Sequence, residues 1–205
     1  MSREDITLLV GYSFMTKHSL SIDRSDGFDR FESDLNSQLL RSRTLMVGPN
    51  LDETNYNLVI AQLLFLQQQD SNQEISLWIN SDHPSEVSAL AICDMIGSLS
   101  CDVRTHCVGK AVGVSAILLA SGKKGKRTAS SNSNVCLCQP SAKASGYAEE
   151  VGRIKRRIEL ARDRTAEILA EITSRSKTEL LRAIDREYWM SAEEARDYGI
   201  VDQVK

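Results

Sequence analysis

Apolar positions along the chain recur with a spacing that switches between helical and extended. From Gly27 onward, Phe28, Phe31, Leu35, Leu39 and Leu40 fall three and four residues apart, one stripe of a helix that should end near Arg41–Ser42. Thr44–Val47 (TLMV) reads as a short buried strand, closed by the turn Gly48-Pro49-Asn50. Tyr56–Gln69 has the length and apolar density of a buried helix, and Ile75–Ile79 (ISLWI) follows as a strand ending at Asn80-Ser81-Asp82. Ser85–Leu99 predicts a helix, Val103–Val108 a strand, and Gly109–Gly113 a turn of small residues feeding an apolar helix at Ser115–Ala120. Gly122–Arg127 is a basic loop, and Asn134–Cys138 a strand closed by Gln139-Pro140. Tyr147–Ile172 is one long helix with Val151, Ile154, Ile158, Ala161, Thr165, Ile168 and Ile172 on one stripe, and another helix starts around Lys177. Ser191 with Glu194 three residues on marks the start of a last helix through a capping box. Alternating strands and helices of this length define an α/β class with a mostly parallel sheet. Residues 1–26 are polar, with only a short apolar patch (Ile6, Leu8, Leu9, Val10), and read as an arm ahead of a single domain at 27–205.

Composition narrows the function classes. A chain of 205 residues sets an expectation of one domain with at most an appendage. Hydrophobic residues at 41% and charged residues at 26% fit a soluble globular chain. A net charge of −3 gives no global footprint for nucleic acid, and no apolar run approaches the ~20 residues of a membrane span, so neither is an expected partner. The N-terminus carries acidic residues and lacks a secretory or transit pattern. Five cysteines, Cys93, Cys101, Cys107, Cys136 and Cys138, are an odd set without CxxC spacing, which fits free thiols in a reducing cytoplasm. No ligands fall at metal spacing, so neither a metal nor a cofactor is expected.

Six segments, in order, carry a resemblance: Asn57–Leu66 (NLVIAQLLFL), Trp78–Asn80 (WIN), Cys107–Ala111 (CVGKA), Ile117–Arg127 (ILLASGKKGKR), Gln139-Pro140 and Met190–Val204 (MSAEEARDYGIVDQV). Together they resemble the Clp protease proteolytic subunit, the ClpP family of serine peptidases, from about Phe28 to the C-terminus. The resemblance implies a ClpP/crotonase-type fold of repeated β-β-α units, with a long handle helix beside the head. It implies heptameric rings paired into a tetradecamer and docking to an AAA+ Clp unfoldase, in the cytoplasm or a plastid stroma.

It also implies a Ser-His-Asp triad, and here the sequence departs from it. A nucleophilic serine needs a sharp strand-to-helix turn, a base to take its proton and a carboxylate to orient that base. By the resemblance, the nucleophile position falls on Gly113, the base position on Cys138 and the acid position on Glu187. Only Glu187 keeps the chemical type. The family's Pro-Gly-Gly oxyanion turn is replaced by Asp82-His83-Pro84. A proline offers no N–H, and losing one oxyanion donor costs about 100- to 1000-fold in rate. The chain therefore resembles the inactive ClpR-like or ClpP-like paralogues, which sit in mixed rings beside active subunits. Asp185-Arg186 matches the family's acid–arginine pair that bridges opposed subunits, an oligomer contact.

Other assignments stay open on the sequence. Ser115 lies two residues past the nucleophile position, about 200° around a helix, so its hydroxyl faces elsewhere. Cys138 is a second candidate nucleophile, for which a lowered pKa is required. A residual or unconventional endopeptidase using either residue, or a homo-oligomeric scaffold outside proteolysis, are the alternatives to a silent subunit. His106, in mid-strand, reads as a core or interface histidine, and His83 as an exposed loop residue. The Gly122–Arg127 lysines read as a solvated turn, and the arginines of the long helix, interleaved with glutamates, as a ring contact.

Overall fold

Ile75, Leu77, Ile79 and Ser81 turn inward along β2 (Ile75–Ser81), while Trp78 and Asn80 face out, the two-residue alternation of a strand with one covered face. In the computed structural model the described residues are 35–49, 53–82, 85–141 and 146–205. Residues 35–41 are helical (α1) and run into β1 (Thr44–Val47). The expected arm at 1–26 and the start of the first helix lie outside the described residues, as do His83 and Pro84. Asn36–Lys205 form one compact unit; a second, Met1–Leu35, is described only at Leu35.

After β1 and α2 (Glu53–Gln69) come β2, α3 (Glu86–Ser98), β3 (Val103–Val112) and α4 (Val114–Ala120). Then follow β4 (Arg127–Ala129), β5 (Asn134–Leu137), α5 (Ala148–Thr173), α6 (Lys177–Asp185), β6 (Tyr188–Ser191), α7 (Ala192–Tyr198) and β7 (Gln203–Val204). The sheet runs β1-β2-β3-β4-β7, with β5 branching from β3 and β6 beside β5. All pairings are parallel except β5 with β6.

The branch explains the β-β-α repeat. The first part of β3, Thr105–Cys107, pairs with β4, and its last part, Lys110–Val112, pairs with β5. β2 bends likewise: Ile79 pairs with Cys107, but Ser81 pairs with Ala111. Each unit thus supplies a strand to the main sheet, a continuation to the branch, and a helix. In the β2 and β3 units the two strands are one bent run; in the third, the loop 130–133 separates them.

This corrects the expected turn at Gly109–Gly113. β3 continues through Val112, and only Gly113 is turn. The bend is at Gly109, whose φ of +78° favours glycine and where an added Cβ would meet Asn80 Oδ1 at 2.8 Å, so that the Asn80 side chain would have to shift. Strands β4 and β6 were not expected either. Arg127 opens β4 rather than closing a basic loop, and β6 fills the stretch just ahead of the capping box.

The core lies between the sheet and the helices. Every residue of α4 is buried, as its apolar sequence VSAILLA requires. Leu63, Leu66, Ile92, Ile117, Leu119 and Leu169 are among the side chains that close the core. By contrast, α5 buries only Thr165, Ala166 and Leu169, all in its second half. Its first half carries Val151 and Leu160 in the open. No described helix is long and apolar enough to cross a membrane.

The frame is tied by two arginines. Arg43, buried between α1 and β1, donates to the carbonyls of Leu66, Asp70, Gln73 and Glu74 at 2.9–3.1 Å. It thereby ties the C-terminal end of α2 to the loop that leads into β2. Arg127 pairs with Asp202 through Nε at 3.0 Å and the guanidinium at 2.6 Å. The same carboxylate accepts the N–H groups of Gly125 and Arg127, joining β4 to the start of β7.

Candidate functional site

A strand that ends in glycine and passes at once into a helix produces a sharp elbow. At Gly113 the backbone stands at φ +61°, ψ −121°, a left-handed conformation that disfavours other residues. Its N–H donates to Cys136 O at 2.9 Å, and its carbonyl accepts from Ala116 N at 3.0 Å. The elbow is thus pinned on β5 and opens α4. It has the strand-turn-helix shape that lifts a nucleophile out of a sheet, with no side chain on it.

The position assigned to the base faces it. A Cβ built on Gly113 would lie 3.2 Å from Cys138 Sγ, with no other atom within 4 Å. Cys138 is 6% exposed and Cys136 1%, and with Val112 they form a small cluster apart from the main core. Burial raises the Cys138 thiol above its ordinary pKa; the neighbouring Cys136 thiol opposes this and the charge of Glu187 adds to it. A thiol held protonated is the opposite of an activated nucleophile.

Glu187, at the position assigned to the orienting acid, takes a left-handed φ of +51° between α6 and β6. Its charge adds to the rise of both thiols. Gln139, next to Cys138, donates to Asp185 Oδ1 at 2.9 Å, and Arg162 lies 3.4 Å from the same oxygen. Asp185 therefore has partners within its own subunit, and Arg186 ends α6.

Gly113 and Cys138 open on a groove of about 570 Å³ between the start of α3 and the side of α5. Glu86, Val87, Val114, Arg157, Ile158 and Thr165 wall it. Burial raises the Glu86 carboxyl, against the pull of Arg164 and Arg157. Thr165 Oγ1 is buried there without a hydrogen-bond partner. Glu86, Arg157 and Thr165 carry no mark of a site residue in the sequence. Their role depends on α3 and α5 meeting across the groove, for which no local motif exists.

Of the altered oxyanion segment, Asp82 is described, and it pairs with Lys110 at the end of β3. Ser115 is fully buried, its Oγ without a partner. It is turned into the α4 core, away from the groove. His106 lies far along β3 from the elbow: Nδ1 is 2.7 Å from Thr128 Oγ1, Nε2 is 3.0 Å from Ser130 Oγ, and Trp78 packs edge-on at 4.4 Å. Burial, with Lys205, lowers its pKa, so it is a neutral, satisfied core histidine. Among the described residues no group of metal-ligating side chains comes together.

A forked, mostly parallel sheet with β-β-α repeats, an elbow at a strand end and a groove beside a long helix make up the α/β scaffold. The family model described as Clp protease matches residues 29–205, and the chain belongs to that family. The family is that of the ATP-dependent serine peptidases, whose members form rings with Clp unfoldases.

Proposed function

We propose that the chain is a non-catalytic, ClpR-like subunit of an ATP-dependent Clp protease core in the cytoplasm. It takes positions in a tetradecameric ring beside active ClpP paralogues, and the ring meets an AAA+ Clp unfoldase. The subunit cleaves no bond; it shapes the chamber and the face presented to the unfoldase.

The observation that carries this reading is the elbow at Gly113. The sharp strand-to-helix turn at the position assigned to the nucleophile carries no side chain, so no hydroxyl stands on it. The thiol opposite is buried and held protonated, which counts against Cys138 as a replacement. The exposed first half of α5, with Val151 and Leu160 in the open, favours an assembled state in which those side chains gain a partner.

Co-expression with an active paralogue from the same source, followed by native mass spectrometry, tests assembly. Mixed rings are expected; separate homo-oligomers alone would transfer support to the scaffold reading. Hydrolysis of a fluorogenic peptide by the isolated chain, abolished by Cys138→Ala or Ser115→Ala, would overturn the non-catalytic assignment.

A further inference from the structure

We propose that Cys136 and Cys138 form an oxidisable dithiol that closes to an intramolecular disulfide when a small hydroperoxide enters the groove beside Gly113. The inference concerns thiol chemistry and holds whether or not the subunit is catalytically silent.

The five cysteines are not equivalent. Cys93, Cys101 and Cys107 pack with the main core, whereas Cys136 and Cys138 share a separate cluster with Val112 alone. Two residues apart on an extended chain, their Cα atoms lie at most about 7 Å from one another. A disulfide spans about 4.4–6.8 Å, so closure needs only a slight contraction. The backbone allows it there, because β5 stops at Leu137 and Cys138 already lies beyond the strand.

Access is asymmetric. Cys138 lines the groove and Cys136 sits behind it. Gly113 keeps the approach open: any side chain there would start 3.2 Å from Cys138 Sγ. Burial and the neighbouring groups push Cys136 up to about 12, whereas at Cys138 the adjacent Cys136 thiol offsets part of the rise. Cys138 is therefore the attacking sulfur and Cys136 the resolving one. Because burial keeps both protonated, the reaction is slow and belongs to sustained oxidant exposure rather than to rapid sensing.

In the first step the Cys138 thiolate attacks the peroxide oxygen and breaks the O–O bond. The leaving alkoxide takes a proton and departs as an alcohol, or as water from hydrogen peroxide, which leaves Cys138 as a sulfenic acid. The Cys136 sulfur then attacks the Cys138 sulfur, and the sulfenic hydroxyl leaves with the Cys136 proton as water. Two thiols are oxidised, one peroxide is reduced and one S–S bond forms. Gln139 follows Cys138 directly and holds Asp185, so closure pulls on the link to α6. Trp189, 53% exposed, is the cross-strand partner of Cys136 and reports the change.

The test uses the full chain and hydrogen peroxide. Trypsin releases residues 128–143 as one peptide holding Cys136, Cys138 and no other cysteine. After peroxide this peptide should lose the mass of two hydrogens and regain it with dithiothreitol. Emission from Trp189 should fall and recover in step, and Trp189→Phe should abolish that change. In Cys136→Ser the peptide should instead gain a dimedone adduct at Cys138, and in Cys138→Ser it should stay unmodified. A wild-type peptide that keeps both thiols overturns the proposal. So does a Cys138→Ser peptide that oxidises at Cys136 as fast as Cys138 does in Cys136→Ser.

Discussion

The elbow at Gly113 and the clamp at Arg127–Asp202 both stand at strand ends, and their polar groups are treated in opposite ways. At the clamp, one carboxylate accepts from two backbone N–H groups and from the guanidinium, all at 2.6–3.0 Å. At the elbow, the positions that the family resemblance assigns to acyl transfer hold a bare backbone, a buried thiol and a carboxylate. The hydroxyls of Ser115 and Thr165 nearby have no partner. Framework and chemistry are held by separate residues, so chemistry can be absent while the fold is complete.

The largest effect should come from breaking the clamp. Asp202→Ala leaves Arg127, 4% exposed, as an unpaired buried cation. The expected loss is about 3–5 kcal/mol, which in a chain of this size lowers Tm by on the order of 10 °C in a calorimetric scan. Burial alone would raise the Asp202 carboxyl, but the hydrogen bonds and charge of Arg127 outweigh it and hold the group below the usual carboxylate range. Its contribution is therefore present above the unfolded-state pKa, and is lost as pH falls through the lower folded value. Urea midpoints of wild type and Asp202→Ala should converge in acid; a constant gap would contradict the assignment.

Arg43→Ala should rank next, at about 2–3 kcal/mol, because four carbonyls lose a charged donor. Urea unfolding measures it, and a loss within 0.5 kcal/mol, about that of a plain surface change, would mean water satisfies these carbonyls equally well.

Changes at the elbow should be smaller and chemically mute. Gly113→Ser places a side chain at φ +61°, a cost of about 1–2 kcal/mol in urea. It should give no peptide turnover, since neither the base nor the oxyanion turn is restored. Adding Cys138→His should leave turnover poor. Activity near that of an active paralogue in the single variant would show that one residue alone silences the site.

Cys138→Ala should have the least effect, within about 1 kcal/mol, as the small cluster at the groove edge loses one sulfur. A larger loss in urea would mean the thiol pair is structural.

Much of the fold was legible because it is local. Apolar periodicity located α2, β2, α3 and α5, and Ser191 with Glu194 forms the capping box that their spacing implied. Gly113 was legible as a turn. The branch of the sheet was not, because it arises where β3 changes partner from β4 to β5, strands well removed from it along the chain. Strands β4, β6 and β7 are short and take their place from partners far along the chain. For the same reason the pairs Arg127–Asp202 and Lys110–Asp82 carry no sequence signal. At the site, the order of segments assigned roles to Gly113, Cys138 and Glu187, and the first two meet at one groove, but its wall of Glu86, Arg157 and Thr165 emerges only when α3 and α5 come together.

The central claim is that this subunit assembles without cutting. Its most direct test is one preparation of the purified chain, assayed for peptide hydrolysis and fluorophosphonate labelling alone and then in rings with an active paralogue. The account predicts no hydrolysis and no label on this chain in either state, with mixed rings seen by native mass spectrometry and all turnover lost when the partner's nucleophile is removed. Hydrolysis by the isolated chain, or label on it within the ring, would contradict it.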